Sequence, residues 1–257
     1  SNAHLLSGEL GSTLTGRHTT VELFPFSLAE FRRARPKTTL EDYLDCGGFP
    51  ATAASPDRDL ILRGYMQDIV ERDVRERVGA RSSRPLRQLS QMLMESSGAE
   101  LSLRRAAAAL GVSTDTAGLY VEAIESAYLA LSCPYFAWSL RKRLVRQSKY
   151  YPIDTGLRRV CITSTGADRG KSLEAATYLV LRQRFGAVHY WRGEREVDFV
   201  VEHNGRAVPV QVTWDAPTER HEKGLDEFLA AHRNAGEPVV VTAKSFERGL
   251  KELVAAE

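Results

Sequence analysis

Residues 194–213 read Glu-Arg-Glu-Val-Asp-Phe-Val-Val-Glu-His-Asn-Gly-Arg-Ala-Val-Pro-Val-Gln-Val-Thr and hold the side chains best placed for chemistry. Asp198 lies in an apolar strand pattern, His203-Asn204-Gly205 makes a turn, and a second apolar strand carries Gln211 and Thr213. A hairpin with Asp on one strand and Glu-x-Lys on the next would hold a divalent ion, and its lysine would help activate water against a phosphodiester. Glu174, on the preceding amphipathic helix, would complete the oxygen set. Here the second strand offers Gln-Val-Thr instead. An amide gives a neutral carbonyl where Mg²⁺ favours a carboxylate, and threonine cannot replace an ammonium. The spacing therefore marks Glu174, Asp198, Gln211 and Thr213 as a degenerate catalytic set. Glu174 and Asp198 remain as a weak Mg²⁺ or Mn²⁺ site. Strand alternation puts Glu196 and Glu202 on the face opposite the odd-numbered apolar residues, where they add little.

Other motifs are weaker. Gly166-Ala-Asp-Arg-Gly170-Lys171-Ser172 falls one residue short of a phosphate-cradling loop and reads as a surface loop before a helix. The six histidines are scattered and form no His-Glu-x-x-His pattern. Leu110-Gly111-Val112-Ser113 followed by Thr114 reads as a helix-turn-helix, in which Gly permits the turn and Ser113 caps the next helix. Its expected reading helix, 114–127, holds Asp115, Glu122 and Glu125 and no Lys or Arg, which disfavours base reading in a major groove. The loop after it is different. Arg141, Lys142, Arg143, Arg146 and Lys149 stand among Tyr135, Phe136, Trp138, Tyr150 and Tyr151, a set that can grip a phosphate backbone.

These groups need elements to position them. Val21 and Leu23 suit a strand ending at Pro25, and Ser27 with Glu30 forms a capping box for a short helix. Residues 36–56, with Gly47-Gly48-Phe49-Pro50, read as a connector, and a long helix is expected over 57–78. Residues 84–131 read as helix, helix, turn, helix, and strands near 131–134 and 149–152 would flank the basic loop as a wing. A helix over 171–185 precedes strands near 187–192, 196–202 and 207–214. A helix near 219–233, a strand over 238–242 and a short C-terminal helix close the pattern.

Net charge is +2, so overall charge does not argue for nucleic acid. Cys46, Cys133 and Cys161 follow no metal-ligand spacing, and their odd number fits a reducing cytoplasm. No apolar run is long enough to span a bilayer, so no membrane partner is expected. The chain opens without an initiator methionine, as a fragment of something longer would. Ser1-Asn2-Ala3 fits either native sequence or a tag scar.

Taken in order, these segments resemble prokaryotic AAA-superfamily ATPases that end in a restriction-endonuclease-like domain of unknown function. The resemblance rests on Leu14-Thr15-Gly16-Arg17, Leu23-Phe24-Pro25-Phe26-Ser27, Gly47-Gly48-Phe49-Pro50, Asp68-Ile69-Val70-Glu71-Arg72-Asp73, Tyr151-Pro152-Ile153-Asp154-Thr155-Gly156-Leu157, Tyr190-Trp191-Arg192 and Glu196-Val197-Asp198-Phe199. It implies an α+β, mixed architecture. Residues 1–35 would end an ATPase core, 36–83 form a helical lid, 84–150 a winged helix-turn-helix, and 151–257 a restriction-endonuclease-like α/β domain. It also implies ATP and Mg²⁺ for the parent protein, with no cofactor in this fragment, and a homo-oligomer assembled through the parent. Arg17 would sense nucleotide there. The phosphate-binding loop of such an ATPase is missing, and Gln211-Val212-Thr213 departs from the family's Glu-x-Lys. The expectation is a recognition module for nucleic acid or protein. The alternatives are a metal-dependent nuclease with a degenerate site and a protein–protein scaffold.

Overall fold

The computed structural model describes residues 21–162 and 168–246. Helix α1 (Leu28–Ala34) begins at the expected capping box, in which Ser27 Oγ accepts from Glu30 N–H and Glu30 accepts from Ser27 N–H. Helix α2 (Leu40–Cys46) was not expected from the sequence, yet Thr39 and Asp42 form a second capping box there. Helix α3 (Pro50–Ala54) starts on its proline, and α4 (Arg58–Asp68) follows. A π-helical turn, Ile69–Val74, joins α4 to α5 (Arg75–Val78), so the expected long helix runs on with one widened turn and stops at the left-handed Gly79.

The expected strand at Val21–Leu23 does not form. Both residues are exposed, at 75% and 89%, with no strand edge beside them. The segment is fixed by Phe26 N–H donating to Gly48 O (2.7 Å) and Tyr43 Oη–H donating to Phe26 O (2.8 Å). Arg17 and the short C-terminal helix fall outside the described residues.

Helix α6 (Arg84–Glu95) buries Leu86, Leu89, Leu93 and Met94. Helix α7 (Leu103–Leu110) ends on Gly111 at φ 68°, and α8 (Thr114–Ser126) begins where Ser113 Oγ accepts from Thr116 N–H (3.1 Å). Strand β1 (Ala130–Cys133) pairs antiparallel with β2 (Lys149–Pro152). The loop between them contains a short helix, α9 (Leu140–Leu144), and Glu100 adds a bridge to Lys149. Helix α10 (Thr155–Cys161) is capped by Asp154.

Helix α11 (Arg169–Phe185) then leads into β3 (His189–Arg192), β4 (Glu196–His203) and β5 (Arg206–Thr213), an antiparallel meander. Helix α12 (Glu219–Ala231) carries the chain back so that β6 (Val239–Thr242) lies parallel to β5. The sheet order is β3-β4-β5-β6. Such a return requires a crossover helix, as parallel neighbours always do. One face of the sheet packs on α11 and β2 through Tyr151, Tyr178, Phe199 and Val201; the other packs on α12 through Val197, Val200, Leu225 and Phe228. The molecule is thus of mixed α+β class. Among the described residues no helix is long and apolar enough to cross a membrane.

Candidate functional site: a buried carboxylate cluster

Asp198 owes its place to a β-bulge. His189 pairs with Val200 and Trp191 with Val197, so three steps along β4 are set against two along β3. A bulge breaks strict alternation and re-aims a side chain. Asp198 thereby turns toward β5, where its Oδ2 accepts from Val212 N–H (2.7 Å) and Gln211 Nε2–H (2.6 Å). The β4–β5 ladder ends at Phe199 and Val210, so the carboxylate pairs an amide just beyond the last strand pair. Gln211 is 4% exposed, and its Oε1 has no hydrogen-bond partner.

Glu174 reaches the same region from α11. Its Oε1 accepts from Tyr151 Oη–H (2.6 Å), and the carboxylate lies against Gly98. Gly98 holds φ 78°, and a Cβ there would stand 2.8 Å from Glu174 Oε1. Thr213 ends β5, paired with Thr242, and brings no charge. Gln211 is thus bonded to Asp198, and Glu174 lies near enough for its charge to act on the Asp198 carboxyl.

Lys149, which the spacing groups with the basic loop, is instead 1% exposed. Its Nζ lies 2.5 Å from Glu196 Oε1 and 5.0 Å from the centre of the Tyr190 ring. Strand periodicity carried the signal. Lys149 and Tyr151 share one face of β2 and both are buried, whereas Tyr150 between them is not. Glu196 also receives Arg192 at 3.1 Å. Of the remaining loop cations, Arg141, Lys142 and Arg146 are exposed, and Arg143 is half-buried.

The electrostatics follow from burial. Burial pushes the Glu174 carboxyl above its ordinary range, partly offset by Lys149 and by the Tyr151 hydroxyl. Burial, then the nearby Glu174 charge, pushes Asp198 well above its ordinary range. Burial alone would depress the Lys149 ammonium, but Glu196, Glu174 and Asp198 hold it above its usual value. An ammonium already stands against one of these oxygens, Glu196 Oε1. Among the described residues no three acidic, His or Cys side chains converge as a metal-ligand group. The residues present therefore do not fit the divalent ion that the resemblance implies.

Glu174 and Asp198 are half-buried and keep some contact with solvent. Two open cavities, of about 290 Å³ beside Glu22, Tyr128 and Arg182 and about 400 Å³ beside Trp138, Arg143 and Asn204, do not reach Asp198 or Glu174. The near-miss phosphate loop supplies no cradle in the described residues, because Gly170, Lys171 and Ser172 are already inside α11.

A second junction was not foreseen as a site. Asp154 is 1% exposed, and its carboxylate accepts from Gly48 N–H (2.5 Å) and Leu157 N–H (2.7 Å). It thus caps α10 and grips the Gly47-Gly48 turn more than a hundred residues earlier in the chain.

A model of a domain of unknown function, DUF8612, matches residues 37–168, and a second, DUF4143, matches residues 169–256. An uncharacterized protein of Haemophilus influenzae is 28% identical over 96% of this chain and 65% of its own length. An uncharacterized protein of Methanocaldococcus jannaschii is 26% identical over 90% of this chain and 58% of its own. The chain therefore spans less than two thirds of the length of these curated relatives. No solved structure matches it.

Proposed function

We propose that this chain, which belongs to the DUF8612 family, is the nucleic-acid recognition end of a longer AAA-type ATP-driven protein and does not cut what it holds. In this reading α6, α7, α8 and the β1–β2 hairpin form a winged helix, and α11 through β6 form a restriction-endonuclease-like scaffold. The helix–meander–helix–strand order supports the second assignment, and the bridge from Glu100 to the hairpin supports the first.

The observation that carries the reading is the tip of the wing. Arg141 and Lys142 on α9, and Arg146 beyond it, are exposed, and Arg141 and Lys142 make no ion pair among the described residues. Trp138, 58% exposed, stands beside them. Unpaired cations next to an exposed aromatic ring suit a phosphate backbone with a base able to stack. The helix after the turn contributes no base reading, since it lacks Lys and Arg and its Glu125 is held by Ser132.

Fluorescence anisotropy with labelled duplex and branched DNA at several salt concentrations tests this. Binding should weaken steeply with salt, and replacing Arg141, Lys142 and Arg146 by alanine together should flatten the log–log salt slope by about 3. Salt-independent behaviour would favour a protein scaffold instead. Cleavage of supercoiled DNA in Mg²⁺ or Mn²⁺ that is abolished by Asp198→Ala would overturn the proposal.

A further inference from the structure

We propose that Lys149 is the resident cation of the carboxylate cluster: its ammonium takes the place of a divalent ion, neutralises Glu174, Glu196 and Asp198 from within, and turns Mg²⁺ and Mn²⁺ away. This inference is independent of whether the wing binds nucleic acid.

The geometry argues for it at each contact. A lysine is almost never fully buried unless it is paired, and Lys149 is 1% exposed. Its pairing is direct, Nζ to Glu196 Oε1, and the Tyr190 ring faces the ammonium from another side. Glu196 is bound directly, and Glu174 on α11 and Asp198 on β4 lie near enough for their charges to act on the ammonium, so two elements offer carboxylates to one charge from a third, β2. The positive charge that β5 lacks, because Thr213 stands where a Glu-x-Lys strand would put its lysine, is supplied from β2. The orphaned Gln211 Oε1 is a second sign of a cation position. It is a buried carbonyl oxygen without a donor, on the same side chain that holds Asp198. An oxygen left this way is costly in an apolar interior and is eased by a nearby positive charge.

The consequence is mechanical as well as chemical. A divalent ion would tie only α11, β4 and β5 to one another. An ammonium carried by β2 also ties the β1–β2 hairpin, and with it the wing, to the sheet.

The test uses the full chain, Mn²⁺ as the probe, and isothermal titration beside thermal unfolding. Wild type should show no saturable Mn²⁺ site. Lys149→Met, which keeps length and removes charge, should unfold about 10 °C lower, gain one saturable Mn²⁺ site, and recover part of the loss when Mn²⁺ is added. Lys149→Met combined with Glu174→Gln should lose that site and yet be more stable without metal than the single variant, because one buried negative charge goes with the positive one. Mn²⁺ binding by wild type that Asp198→Asn abolishes would overturn the proposal. So would a folded Lys149→Met protein indifferent to Mn²⁺. If Lys149→Met does not fold at all, the double variant decides: folding restored by Glu174→Gln supports the proposal, and no restoration overturns it.

Discussion

Asp154 shows how much one side chain can set. Burial raises its carboxyl from the ordinary 3.8 to about 6, although backbone N–H groups of Leu157 and Gly48 oppose the shift. Because the folded-state value is the higher one, the carboxyl contributes stability fully below about pH 4. That contribution is lost as pH rises through 6, by roughly 3 kcal/mol for a shift of this size. The difference in thermal stability between wild type and Asp154→Asn should therefore move in favour of the variant between pH 4 and pH 7. A difference that stays level across that window would contradict a buried, titrating carboxyl. Lys149 is the counterpart among cations, and the same burial that isolates it makes its partner charges indispensable.

At the scale of elements, the junction of α2, α10 and the Gly47-Gly48 turn depends on backbones that nearly touch. A Cβ at Gly156, in the first turn of α10, would stand 2.5 Å from the carbonyl carbon and oxygen of Cys46, where no flexible side-chain end can give way. Gly156→Ala should cost about 1–3 kcal/mol in urea unfolding, whereas Gly64→Ala, with nothing within 4 Å in α4, should be neutral or stabilising. Equal effects at the two sites would contradict this packing. The β4 bulge is the other element-level device. It lets Asp198 and Phe199 serve one side of the sheet while Val197 and Val200 serve the other.

For the whole molecule, the boundary between the two matched domains at residues 168 and 169 runs through a shared core. Tyr151 stacks on Tyr178 with ring centroids 4.6 Å apart, Lys149 pairs with Glu196, and Arg169 pairs with Glu41 at 3.0 Å. A fragment starting at residue 169 would leave Leu173, Tyr178 and Phe199 without their partners and three carboxyls without their cation. It should lack cooperative unfolding in circular dichroism, while the full chain unfolds as one unit. A well-folded fragment would show that the core is divisible.

The sequence alone determined the periodic elements, since periodicity is a local property. The Ser27 and Ser113 caps, the turn at Gly111 and the β4–β5 hairpin were legible from spacing. It also determined that the β5 strand lacks an acid and a lysine. The tertiary structure decided what that loss means. Val21 and Leu23 have strand propensity but no neighbouring edge, so no strand forms. Lys149 has the composition of a surface cation, yet the side of β2 on which it falls faces a sheet formed later in the chain. Nothing local distinguishes a cation awaiting a phosphate from one that will be enclosed by carboxylates on two other elements. That distinction depends on burial and on charges distant in sequence, which exist only once the chain has folded.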